Sequence, residues 1–182
     1  LLLCFLLAAT GLSQTVAIAR DAGPVLAGKV TRVIDGDTID VLLASGRIRV
    51  RLHGVDAPER NQPGGKASSE WLTQQLRDKP VQLEPVSQDQ YERMVAVVHR
   101  DGRNINRELV RAGHAWAYRR YMRRSERDLC SLEDRARRAR TGLWATRAAR
   151  APWEFRATDG KGPFRDYSKG TVADCRKAIG KR

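Results

Sequence analysis

Between Val25 and Val55 apolar and polar positions alternate, the two-residue period of strands that bury one face. Val30, Val33 and Ile34 lead into Asp35-Gly36. Ile39, Val41 and Leu43 return from it, and Ile48, Val50 and Leu52 follow Ser45-Gly46. The pattern predicts three antiparallel strands, with Gly36 suited to a turn that needs positive φ. Arg47, Arg49 and Arg51 share the opposite parity, which places them on the face away from the core. Pro58 and Asn61-Gln62-Pro63-Gly64-Gly65 end the sheet, and Asp56 is expected to close its third strand. Ala67, Trp71, Leu72 and Leu76 are spaced for a helix over Lys66 to Arg77, closed by Lys79-Pro80. Val81–Leu83 and Met94–Val98 read as two more strands. Asn104 is placed to cap a helix through Val110, and Ser125-x-x-Asp128 to start a longer one to Arg140.

Strands interrupted by one helix predict an α+β fold, mainly β: a five-stranded OB-type Greek-key barrel with about three helices. A doubly wound α/β sheet is disfavoured, because the first three strands follow each other without crossover helices. The expected organisation is a leader over 1–19, a globular domain over 20–146 and an irregular, basic polar tail over 147–182. Trp153 and Phe155 would dock that tail in part. Leu1 to Ala9 is an apolar run too short to span a bilayer, and Ala17-Ile18-Ala19 is a small-x-small pattern suited to cleavage before Arg20. Such a leader implies an exported chain, periplasmic or secreted, with no membrane attachment once it is removed. A lipid anchor at Cys4 is disfavoured by the leucines before it. Export leaves Cys130 and Cys175, either a disulfide or two separate thiols.

The formal net charge of +13, from 34 Lys+Arg against 21 Asp+Glu, points to a polyanionic partner. Charge alone does not separate nucleic acid from an anionic membrane. The decisive feature is a set of local acidic clusters in so basic a chain: Asp35-Gly36-Asp37-Thr38, Arg51 through Glu59, and Asp89-Gln90-Tyr91-Glu92-Arg93. Asp37 and Asp56, with a backbone carbonyl nearby, form part of an oxygen site for a hard divalent cation. Asp35 would stand behind them, ordering solvent or the turn. Zinc is a poor candidate, since His53, His99 and His114 lack ligand spacing. Glu59 would accept a proton from attacking water or orient it. Arg51 and Arg93 are planar donors that match a phosphate.

These motifs, in this order and spacing, resemble the staphylococcal nuclease family over about residues 26–145. Asn104-Ile105-Asn106, Leu109 through Gly113 and Gly142-Leu143-Trp144 extend the likeness into the helical half. The resemblance implies a Ca²⁺-dependent endonuclease hydrolysing DNA and RNA with little sequence selectivity, leaving 5′-hydroxyl and 3′-phosphate ends. It further implies metal ligation by Asp37, Asp56 and the Ala57 carbonyl, phosphate binding by Arg51 and Arg93, catalysis by Glu59, and nucleotide contact at Tyr91. Two departures stand out: Ala57 where the staphylococcal enzyme has threonine, and Glu92 where glycine is expected. Residues 111–150 hold 12 arginines and four acids among Trp116, Tyr118 and Tyr121, a composition suited to single strands. Arg135, Arg137, Arg138 and Arg140 can equally form a solvated face, and Trp116 and Trp144 a core. The expected protein is a monomer acting on nucleic acid, preferably single-stranded. The alternative is a non-catalytic nucleic-acid-binding OB module, which would have no need of the full catalytic set.

Overall fold

A computed structural model describes residues 24–146, 149–158 and 171–180. The leader over 1–19 lies outside the described residues. The alternating segments form β1 (Leu26–Val33), β2 (Thr38–Leu43) and β3 (Gly46–Leu52), followed by β4 (Val55–Asp56), α1 (Gly65–Leu76), β5 (Pro80–Gln88) and β6 (Met94–Arg100). Then come β7 (Arg103–Asn104), α2 (Ile105–Arg111), β8 (Trp116–Ala117), α3 (Asp128–Arg138), α4 (Pro152–Thr158) and α5 (Val172–Lys177).

The five long strands lie in the order β3-β2-β1-β5-β6, and parallel pairing of β3 with β6 closes the barrel. In the first hairpins Ile39 pairs with Val50 and Val41 with Ile48, so the apolar parity faces one interior. Val30, Ile39, Val41, Val50, Leu52, Leu83, Ala96 and Val98 are buried there. Leu72 and Leu76 of α1 join the same core, with Ile105, Leu109 and Val110 of α2. This is the expected α+β OB barrel, with α1, α2 and α3 as its helices.

Several local expectations change. Gly36 does not adopt positive φ. A Cβ there would lie 2.6 Å from the Ala57 Cβ and 2.8 Å from the Ser68 Cβ, so glycine serves close approach of the turn to the Ala57 loop. Asp56 lies beyond β3, in the two-residue strand β4, where it pairs with Trp116 of β8. Asn104 caps α2 as expected, its side chain accepting from the Arg107 N–H at 3.0 Å. Ser125 does not cap α3; it sits in a 3₁₀ turn over Arg124–Glu126, and α3 begins at Asp128 without a side-chain cap. The helix ends at Arg138, two residues early.

The described parts of the tail include two short helices where its composition suggests an irregular chain. Among its described residues α4 packs against the barrel through Trp153, which meets Trp116 edge-on with ring centroids 5.6 Å apart. Cys130 and Cys175 form a disulfide that joins α3 to α5 across a sequence separation of 45. Closing such a loop is worth up to about 4 kcal/mol in a chain-entropy account. Trp116 and Trp144 fill a second small core, their rings 4.4 Å apart. The arginine-rich face of α3 is only partly solvated. Arg137 turns inward to the buried Glu133, which also accepts from Arg119 at 2.7 Å and from the Ala117 N–H at 2.8 Å.

Candidate active site

The β1–β2 turn, the β3–β4 connection and the β5–β6 turn open onto one cleft of about 770 Å³. Its lining includes Asp35, Asp37, Arg51, Glu59, Tyr91 and Arg93. Tyr118, Tyr121, Arg123 and Arg156 form part of the other wall.

Asp37 is held from three sides. Its Oδ2 accepts the Ala57 N–H at 2.9 Å, its Oδ1 accepts the Thr38 hydroxyl at 3.0 Å, and its carbonyl accepts the Leu52 N–H at 2.8 Å. Asp56 is fully buried. Arg51 bridges the two, donating to Asp37 Oδ1 at 2.6 Å and to Asp56 Oδ1 at 2.8 Å. The outward parity of β3 therefore delivers Arg51 between two carboxylates that lie 19 residues apart in the sequence. Burial works against the Arg51 charge, but the facing Asp37 and Asp56 hold its pKa above the ordinary guanidinium value. Burial pushes the Asp56 carboxyl up, as does the charge of Asp37, against hydrogen bonds and charge from Arg156 and Arg51. Asp35 accepts the Asp37 N–H at 3.1 Å and thus orders the turn. Burial, then the charge of Asp37, push its carboxyl up to about 6.

Glu59 follows Pro58 on a loop fastened by Gln62. The Gln62 Oε1 accepts the Glu59 N–H at 3.2 Å, and its Nε2 donates to the Arg150 carbonyl at 2.6 Å. Glu59 Oε1 accepts Arg156 Nη1 at 2.7 Å, and the same guanidinium reaches Asp56 Oδ1 at 3.2 Å and Oδ2 at 2.8 Å. Sequence reasoning missed Arg156. It lies in a tail read as irregular, and no spacing rule joins it to Asp56 a hundred residues earlier.

Arg93 lies apart from the acid cluster but lines the same cleft. Asp89 holds it, the Nε and Nη2 atoms both 2.7 Å from Asp89 Oδ2. Burial opposes the Asp89 charge, but hydrogen bonds from the Arg93 side chain and the Tyr91 and Arg93 N–H groups, with the charge of Arg93, together bring its pKa below the usual range. Tyr91 is exposed, with the Arg93 guanidinium 5.2 Å from its ring centre. Glu92 adopts φ 61°, the left-handed region that favours glycine.

With every acid ionised, Asp35, Asp37, Asp56 and Glu59 face two guanidiniums, which leaves two negative charges in excess. No group of three His, Cys, Asp or Glu side chains among the described residues is arranged to hold a metal. A cation here would draw on Asp37, Asp56 and the Ala57 carbonyl, with solvent completing its shell. That all-oxygen donor set and charge excess fit a hard divalent ion.

The family model described as staphylococcal nuclease homologue matches residues 49–146. The chain belongs to this family. Three relatives extend the likeness. The chain is 35% identical over 160 residues to "Protein ParB" of Escherichia coli, covering 83% of this chain and 90% of that protein. It is 38% identical over 138 residues to "Micrococcal nuclease" of Shigella flexneri, covering 71% and 79%. Against "Uncharacterized endonuclease" of Escherichia coli O157:H7 it is 38% identical over 130 residues, covering 71% and 84%. The match to the family model ends ten residues before Arg156.

Proposed function

We propose that this member of the staphylococcal nuclease family is a Ca²⁺-dependent endonuclease that hydrolyses DNA and RNA with little sequence selectivity, leaving 5′-hydroxyl and 3′-phosphate ends. The observation that carries the reading is the convergence of Asp37, Asp56 and Glu59 on arginines in a cleft open to a long polyanion. A module that only binds nucleic acid would gain nothing from buried carboxylates that repel phosphate. When bound, Ca²⁺ would be held by Asp37, Asp56 and the Ala57 carbonyl and would supply positive charge to the scissile phosphate.

The protein's own groups then divide the work. Arg51 donates from the floor of the cleft and Arg93 from its rim, where phosphate charge is redistributed during displacement. Asp89 restrains the Arg93 fork, so less side-chain freedom is lost on meeting phosphate. Glu59, on its braced loop, accepts the proton of the attacking water or orients that water. Tyr91 offers an exposed ring, and base stacking there tolerates any base and favours single strands.

Export and a monomeric state belong to the same proposal. The disulfide supports an oxidising compartment. No helix among the described residues is long and apolar enough to cross a membrane.

The test is incubation of the purified protein with single-stranded DNA and RNA in Ca²⁺ or in EGTA. Products that polynucleotide kinase labels without prior phosphatase treatment carry 5′-hydroxyls. Full activity in EGTA overturns the Ca²⁺ assignment, and 5′-phosphate products overturn the end chemistry.

A further inference from the structure

Arg156 lies outside the residues matched by the family model, yet it makes a direct ionic contact with Asp56, the buried carboxylate at the centre of the site. Its fork spans both Asp56 oxygens, at 3.2 Å and 2.8 Å, and its Nη1 also holds Glu59 at 2.7 Å. Arg51 takes Asp56 Oδ1 as well. A carboxylate offers about four lone-pair positions, and three of those on Asp56 are engaged by arginine. A divalent ion ligated through Asp56 must gain an oxygen that Arg156 holds, and must sit beside its positive charge.

The two arginines are not equally able to yield. Arg51 stands near the end of β3 between two carboxylates, and its side chain is 19% exposed; that of Arg156 is 40% exposed, on a seven-residue helix at the mouth of the cleft. Arg156 can swing toward solvent or stay on Glu59 alone, while Arg51 is less exposed and is held by Asp37 as well as Asp56. The Trp153–Tyr118 stack keeps the root of the Arg156 side chain near the site throughout.

We propose that Arg156 competes with the divalent cation for Asp56 and so sets the metal affinity of the site. In the metal-free protein its guanidinium bridges Asp56 and Glu59. Metal uptake is coupled to its release from Asp56, which leaves it free beside Glu59. The inference rests on the Ca²⁺ reading above and adds to it a residue from the C-terminal segment that tunes the ion.

The test is calorimetric Ca²⁺ titration of the full, disulfide-intact chain and of Arg156→Ala and Arg156→Lys, with thermal unfolding followed with and without Ca²⁺. Removing a charge adjacent to the ion is expected to tighten Ca²⁺ binding in Arg156→Ala by about tenfold or more. Without metal that variant melts lower, because Asp56 keeps its charge and loses its fork. Ca²⁺ then raises its melting temperature more than that of the parent. Arg156→Lys, a point charge with no fork, falls between them and carries the comparison if the alanine variant does not fold. Unchanged or weaker Ca²⁺ binding in both variants, with the parent binding normally, overturns the competition and leaves the Ca²⁺ reading intact. Ca²⁺ binding by none of the three overturns both.

Discussion

Trp153 lies parallel to Tyr118, their ring planes 3° apart and centroids 5.6 Å apart. Tyr118 immediately follows β8, and its N–H donates to the Gly54 carbonyl at 2.9 Å, which ties the ring to the β3–β4 connection. Trp153 stands three residues before Arg156 on α4. The stack thus fixes how far Arg156 reaches into the cleft, and it joins the C-terminal segment to the strand that carries Asp56.

A double-mutant cycle of Tyr118→Ala and Trp153→Ala is expected to give a coupling of roughly 0.5–1.5 kcal/mol in urea unfolding, the range for aromatic pairs beyond their buried area. Additive effects would mean that α4 is held elsewhere.

Glu59→Gln is expected to lower turnover about 100-fold or more at saturating DNA while single-strand affinity stays within about threefold, since a carboxylate that acts on the attacking water matters in the transition state. Single-turnover cleavage and filter binding on the same preparation separate the two quantities. Parental turnover in this variant would remove Glu59 from the chemistry.

Glu92→Gly is expected to stabilise the protein by up to about 1 kcal/mol, because a non-glycine residue in the left-handed region is strained and glycine is not, less the greater freedom of glycine in the unfolded chain. Removing the carboxylate next to Arg93 should also tighten single-strand binding. Urea unfolding checks the first effect and a binding titration the second; loss of stability would show that the Glu92 side chain contributes more than its backbone costs.

Glu126 accepts from His53 at 3.1 Å and from the Arg123 N–H at 2.6 Å. Burial raises its carboxyl, but these bonds and the charges of His53 and Arg123 bring it below the usual 4.5. A depressed carboxyl binds protons less readily folded than unfolded, so its contribution is present above pH 4.5 and is lost as pH falls through the lower folded value. Melting temperature against pH should therefore fall less steeply below pH 4.5 in Glu126→Gln than in the parent. Parallel curves would count against this linkage.

Arg120, Arg123 and Arg124 are exposed beside Tyr121, and Arg123 lines the cleft. Neutralising all three is expected to flatten the dependence of log affinity on log salt by about 2 for single-stranded DNA, if each meets one phosphate. Turnover at saturating substrate should hardly change. An unchanged salt slope would place the nucleic acid elsewhere.

Local physics made much of this molecule legible in advance. The alternation from Val25 to Val55 specifies which faces of β1, β2 and β3 are buried, because a one-residue slip would expose the whole apolar set. Asn104 caps α2 by a contact three residues long. The site motifs were readable for a related reason: Asp35, Asp37, Arg51, Asp56 and Glu59 sit on turns and strand ends whose chemistry is concentrated in short segments. What the tertiary structure alone decided lies between distant segments. Gly36 matters for its packing on Ala57 and Ser68, not for its φ. Arg137 leaves the solvated face for Glu133, and Cys130 and Cys175 meet because α5 packs on α3. Arg156 reaches Asp56 because Trp153 finds Tyr118. Spacing rules describe one strand or one helix, whereas a cation aimed at a buried carboxylate depends on where two elements meet, and that is settled by packing.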